Sequence, residues 1–149
     1  MLFFAVFSFA TFPKDNSLKI SDGNRDEFTQ ILAPYEEMAK RTFSDVKKKF
    51  IAGVYQKEYR ILQVQITFTG KDGRKEMPFV KVFSCKGDLF KGIINNDMNL
   101  IQEFAYGDIV SFMQHEIVNW VVQDAKGHEE GNFVGKAIDA YHYKKVILS

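Results

Sequence analysis

A single cysteine, Cys85, leaves the 149-residue chain without a partner for an internal disulfide and excludes a metal site made of cysteines alone. The three histidines, His115, His128 and His142, are scattered without the paired spacing of zinc ligands, so no metal and no cofactor is expected. An excess of charge is missing too. Twenty basic against nineteen acidic residues leave +1, which gives no general pull toward nucleic acid or an anionic membrane. No Gly-rich phosphate loop, nucleophile elbow or paired Cys–His arrangement occurs, and no catalytic residue is assigned. The longest apolar run, MLFFAVFSFATF at 1–12, is too short to cross a bilayer as a helix, so no integral span is expected.

That run has two readings. It has the length of a signal-peptide hydrophobic region, with Ser8 and Ala10 as small residues before a cleavage point. It also has the aromatic and β-branched composition of a buried strand ended by Pro13, and no Lys or Arg precedes it. The balance leans toward export to the periplasm; a buried strand would leave the protein cytoplasmic.

Phenylalanine is abundant, at 15 residues, and each ring buries a large area, so a Phe-rich core is expected. After a polar, turn-rich stretch at 13–25, one domain is expected over 26–149. Phe28, Ile31, Leu32, Tyr35, Met38, Ala39, Phe43, Val46 and Phe50 recur at helical spacing. Pro34 interrupts this stripe and either kinks one helix or opens a second one, and the second option fits the Glu36–Glu37 pair better. Lys47, Lys48 and Lys49 then fall at the helix C-terminal end before Gly53, as solvated charges.

From Ile61 the period becomes two. Ile61–Phe68, Phe79–Cys85 and Leu89–Asn95 read as a three-stranded meander, with turns at GKDG and KGD. Residues 95–104 read as a loop with one helical turn. Strands follow at IVSFM and at 116–122, then a turn-rich loop, DAKGHEEGN. The segment from Phe133 to Leu148 suits a helix by one spacing and a strand by another. The expected fold is α+β: an N-terminal amphipathic helix packed on a strongly curved, mainly antiparallel sheet, a partial small barrel.

The ordered motifs MAKRTFSDVKKKF (38–50), EMPFVKVF (76–83), FKGIINND (90–97), YGDIVSF (106–112), HEIVNW (115–120) and EGNF (130–133) resemble the YegJ-like bacterial family catalogued as domain of unknown function 2314. The resemblance implies a bacterial origin and a fold, with members both with and without export signals. It brings no activity. This chain departs from the family's usual Trp at Phe79, Asp at Asn119, Pro at Asp97 and Thr at Val134. If the usual Asp were a ligand or an acid–base group, Asn119 could not replace it.

His115, Glu116, Asn119 and Trp120 form the most suggestive cluster. On a strand, His115 and Asn119 would share a face roughly 13 Å apart, too far to hold one metal. Trp120 is expected as a core ring with its indole N–H satisfied locally, Asp108 as a turn residue, and Cys85 as a buried, inert thiol. Asn95, Asn96 and Asn132 either brace turns or line a polar pocket, and bracing is the favoured role. A binding surface, if present, is expected where these loops meet the edge holding Asn119, with Asn95, Asn96, His115, Asn119 and Asn132 as its candidates. The expected function is a non-enzymatic module that binds another bacterial protein, immunity-like or regulatory. The alternative is a small hydrolase-like enzyme using loop carboxylates and amides. Oligomeric state is not legible.

Overall fold

A computed structural model describes residues 25–148, so both readings of residues 1–12 lie outside the described residues. Helix α1, Arg25–Ile51, buries Phe28, Leu32, Ala39, Phe43 and Val46 along one side. Pro34 lies inside this single helix and does not open a second one, contrary to expectation. The reason is tertiary. Phe28 and Leu32, on the N-terminal side of the proline, pack against Val134 and Ala137 of α3 (Phe133–Ile147). That burial keeps the early turns helical although Pro34 has no N–H for the carbonyl of Gln30. Gly53, at φ +73°, turns the chain out of α1 into the short α2 (Val54–Lys57).

Eight strands follow: β1 (Ile61–Ile66), β2 (Phe68–Thr69), β3 (Lys75–Glu76), β4 (Phe79–Lys86), β5 (Leu89–Ile94), β6 (Ile109–Met113), β7 (Ile117–Gln123) and β8 (Glu129–Gly131). Six of them form an antiparallel sheet in the order β6-β5-β4-β1-β7-β8, and β2 pairs with β3 as a separate hairpin. The expected meander is β1-β4-β5. Strand β8 lies in the stretch expected to be loop, residues 95–104 contain no helical turn, and the C-terminal segment is helix rather than strand.

The sheet curls, and a short connection shows why. Beta6 and β7 run in the same direction, yet only Gln114–Glu116, a 3-10 turn, joins them. Four residue steps reach at most about 14 Å, whereas four strand spacings in a flat sheet take about 19 Å. Curvature must supply the difference. It brings Val64, Val80, Phe90, Ile94, Val110, Phe112 and Trp120 together against Ala39, Phe43 and Val46 of α1. Gly92 permits the tight β4–β5 contact, because a Cβ there would stand 2.5 Å from Val80 Cγ1. The sheet is not closed into a barrel: β6 and β8 are its two edges.

A bulge breaks the period-two reading of β7. Ile66 pairs with Ile117 but Gln65 pairs with Asn119, so Val118 is the extra residue. Ile117 therefore turns into the core with Trp120, while Asn119 faces the other side. His115 is not on the strand at all; it sits in the 3-10 turn. Trp120 is buried as expected, and its Nε1–H donates to Ala39 O and Thr42 Oγ1, each at 3.1 Å.

Candidate functional site

The loop-rich end of the sheet is built by three segments: the β2–β3 hairpin, the start of β4 and the long connection from β5 to β6 at 95–108. Such a connection is far longer than a tight hairpin and needs its own anchors. Phe104 packs on Phe68 with ring centroids 4.8 Å apart, and Ile101 drops into the core. Glu76 holds the middle. Its carboxylate is buried, at 6% exposure, and accepts the backbone N–H groups of Asn99 (2.7 Å), Leu100 (3.0 Å) and Ile101 (3.2 Å). An anion satisfied by three amides is a strong tether that needs no cation. Lys71 N–H donates to Glu103 at 2.7 Å, and that bond leads the effects that hold the Glu103 carboxyl below its ordinary range.

Thus pinned, the connection walls an open cleft of about 580 Å³, lined by Asp97, Met98, Asn99, Ile101, Gln102, Phe104, Ala105 and Tyr106. A second cleft of about 380 Å³ lies beside it, between Lys71, Asp72 and Arg74 of the hairpin and Leu100, Gln102 and Glu103. Tyr106 stands at the rim, 63% exposed. The lining is a mixture of amide, carboxylate, thioether and aromatic groups.

The sequence-expected candidates separate into three places. Asn95 Nδ2 donates to Gln63 Oε1 at 2.8 Å, and Asn119 Nδ2 donates to Gln65 Oε1 at 2.8 Å and to Asn132 Oδ1 at 3.0 Å. Asn119 Oδ1 accepts the N–H of Val134, and Asn132 Nδ2 donates to Glu129. Asn95, Asn119 and Asn132 are thus brought together by Gln63 and Gln65, two same-face positions of β1. Asn96 Oδ1 accepts the Phe79 N–H at 2.6 Å. These contacts brace the structure. Asn119 is fully buried, and amides at neutral pH neither give nor take protons as acids and bases do.

His115 is not part of this group. It is exposed at the opposite end, near the β4–β5 turn, where Lys47 donates to Asp88 (2.8 Å) and Gln114 (2.7 Å). The Lys47 bond, followed by the Lys47 charge and more weakly by His115, lowers the Asp88 carboxyl below its ordinary value. Lys47 is therefore a tether from α1 to the sheet, whereas Lys48 and Lys49 are exposed at the helix end as expected. Burial pushes the partly buried Cys85 thiol up, and its Sγ lies 3.3 Å from Gly87 O, away from the thiolate a reactive cysteine needs. Among the described residues no three His, Cys, Asp or Glu side chains stand so as to hold a metal ion. No described helix is long and apolar enough to cross a membrane.

Glu76, Gln63 and Gln65 carry the geometry of this end, Tyr106 stands at its rim, and none of the four was singled out from sequence. Gln63 and Gln65 carried a signal, as amides two apart in an otherwise apolar strand. Glu76 carried none, because its partners are backbone amides. The motif EGNF has its own reason: Gly131 sits at φ +86°, and a Cβ there would run into the Trp120 ring. No curated protein and no solved structure matches the chain. A family model described as an uncharacterized protein conserved in bacteria matches residues 32–140, a span that takes in α1 from Leu32 onward, the whole sheet and the pinned connection, and the chain belongs to that family, DUF2314.

Proposed function

We propose that this bacterial protein is a non-enzymatic binding module that docks another protein at the loop-rich end, in an immunity-like or regulatory role. The observation that supports this is the Glu76 tether. It spends a buried carboxylate on fixing the shape of an exposed loop, and a fixed loop on a rigid sheet lowers the ordering cost of binding. The candidate amides are consumed in bracing, while Tyr106, Gln102 and Asp97 stand exposed on the connection.

The test is affinity capture with the full chain from bacterial lysate and periplasm, beside a Gln102→Ala/Tyr106→Ala variant. Both side chains are exposed, so the variant keeps the fold. One stoichiometric partner, lost in the variant, is expected. Turnover of a hydrolysable ester or amide by the purified protein, absent in the same variant, would overturn the proposal in favour of a small enzyme.

A further inference from the structure

Beta6 starts at Ile109, three residues beyond Tyr106 on the cleft rim, and runs from there as an edge of the sheet. The bonds Ile94 N–H to Asp108 O and Gln114 N–H to Asp88 O fix which way its backbone groups point. The even-numbered residues, through Val110 and Phe112, bond to β5. Ile109, Ser111 and Met113 therefore turn their N–H and C=O groups outward. Glu116 Oε2 takes the Met113 N–H at 2.6 Å, which blunts one end of the edge. Among the described residues, nothing accepts the N–H of Ile109 or Ser111, and no strand lies outside β6.

The usual protections of an edge are missing along β6: IVSFM has no charge, no proline and no bulge. Its face away from the core presents Ile109 (68% exposed), Ser111 and Met113, continued by Leu89 and Ile93 on β5 and Phe83 on β4. Charge on this half of the sheet is of one sign. In β4, β5 and β6 the charged residues are Lys81, Lys86 and Lys91, and none is ion-paired to a described residue, although the whole chain carries only +1. Lys91 pairs across the ladder with Ser111. Serine is short, so the lysine stem can pass over it and carry its ammonium across one strand spacing of about 4.8 Å.

We infer that β6 takes up an extended segment of an acidic partner protein as an added strand, with the side-chain pattern apolar–x–acidic–x–apolar on the outer face. This rests on the binding-module reading above and gives that module a partner chemistry. The carboxylate lies beside Ser111 and meets Lys91; the two apolar residues lie beside Ile109 and Met113. Main-chain bonds to Ile109 and Ser111 supply affinity, and the alternating side chains supply selectivity. A lipid surface would use the lysines and apolar residues but has no need of the free backbone groups, so an extended polypeptide is the occupant the edge favours.

The probe is a blocked peptide with the core Val-Thr-Glu-Thr-Val, titrated into the isotope-labelled full chain, with Val-Thr-Lys-Thr-Val as control. Expected are binding of the Glu peptide alone, slowed hydrogen exchange at the Ile109 and Ser111 amides, and affinity that falls with salt. Lys91→Glu should weaken the Glu peptide at least tenfold and let the Lys peptide bind. Ser111→Pro should abolish binding while leaving the β5–β6 bonds intact, because the Ser111 N–H points outward. No binding of the Glu peptide would overturn the inference, as would binding indifferent to Lys91→Glu. Two other results would overturn it: attachment to phosphatidylserine vesicles that survives Ser111→Pro, and self-association through β6 with no peptide bound. If a partner captured at the cleft survives both variants, the binding-module proposal stands and only the edge inference falls.

Discussion

Glu76 Oε2 accepts the backbone N–H of Ile101 at 3.2 Å, a bond between positions 25 apart that fixes the β5–β6 connection to the hairpin beneath it. The same carboxylate takes two more amides, and a glutamine of equal size cannot. Its carbonyl accepts, but its NH₂ would point donors at donors. Glu76→Gln should therefore cost about 2–3 kcal/mol, read as a lower urea midpoint. Hydrogen exchange should accelerate at residues 97–105 and stay unchanged at Val64 and Val80. Uniform acceleration across the sheet would show that Glu76 is no local tether.

Asn119 sets a second test, since its amide faces two acceptor oxygens, Gln65 Oε1 and Asn132 Oδ1. A carboxylate there keeps the Val134 N–H but donates nothing. Asn119→Asp should destabilise the fold by about 3 kcal/mol at pH 7. The folded pKa of the new acid would lie above its unfolded value, so the loss should shrink as the pH falls through that folded pKa and the protonated group regains a donor. Urea unfolding at pH 7 and pH 4 reads both. A loss below about 1 kcal/mol at pH 7 would mean that Gln65 and Asn132 turn their amides to serve the carboxylate.

What the sequence disclosed and what it withheld follow from the range of the interactions. The apolar stripe of α1, the β1-β4-β5 meander and the burial of Trp120 come from local patterning and are present, although Tyr35 and Met38 of that stripe stand exposed. The bulge at Val118 has no local signature; simple alternation would put Ile117 on the face of Asn119, whereas the bulge turns it into the core. Beta8 is three residues long and exists because the chain returns beside β7, too short a run to show a period. At the candidate site, Asn95, Asn96 and Asn132 were visible as loop amides. Their pairing with Gln63, Gln65 and Phe79 depends on contacts that only the curled sheet makes.

Tyr55 is buried, at 2% exposure, and its hydroxyl has no hydrogen-bond partner among the described residues. Burial first, and Glu130 next, push its pKa from 10.0 up to about 12. At pH 7 the hydroxyl is neutral and unpaired, so Tyr55→Phe should be neutral or stabilising by up to about 1 kcal/mol. The folded pKa is raised, so the folded state holds the proton more tightly and the wild type should lose stability between pH 10 and 12. That loss is on the order of 2 kcal/mol. The phenylalanine variant should lack this part of the alkaline loss. Parallel denaturation of the two proteins across that range isolates it from the other tyrosines and the lysines, and identical curves would place the hydroxyl in contact with water.

Pro34 gives the clearest case of packing set against propensity. It lies exposed within α1, with helix on both sides, and leaves the Gln30 carbonyl without its usual donor. Pro34→Ala restores the N–H and removes the ring's clash with the preceding turn, while Phe28 and Leu32 keep their seats against α3. The unfolded chain also gains freedom, which takes back part of the benefit. A net gain of about 1–2 kcal/mol is expected, with slower hydrogen exchange in the first turns of α1. A net loss would show that the proline bends the helix to fit both α3 and the sheet. In that case Phe28→Ala, made beside Pro34→Ala, should cost less than it does in the wild type, because the Phe28 contact with Tyr141 would already be weakened.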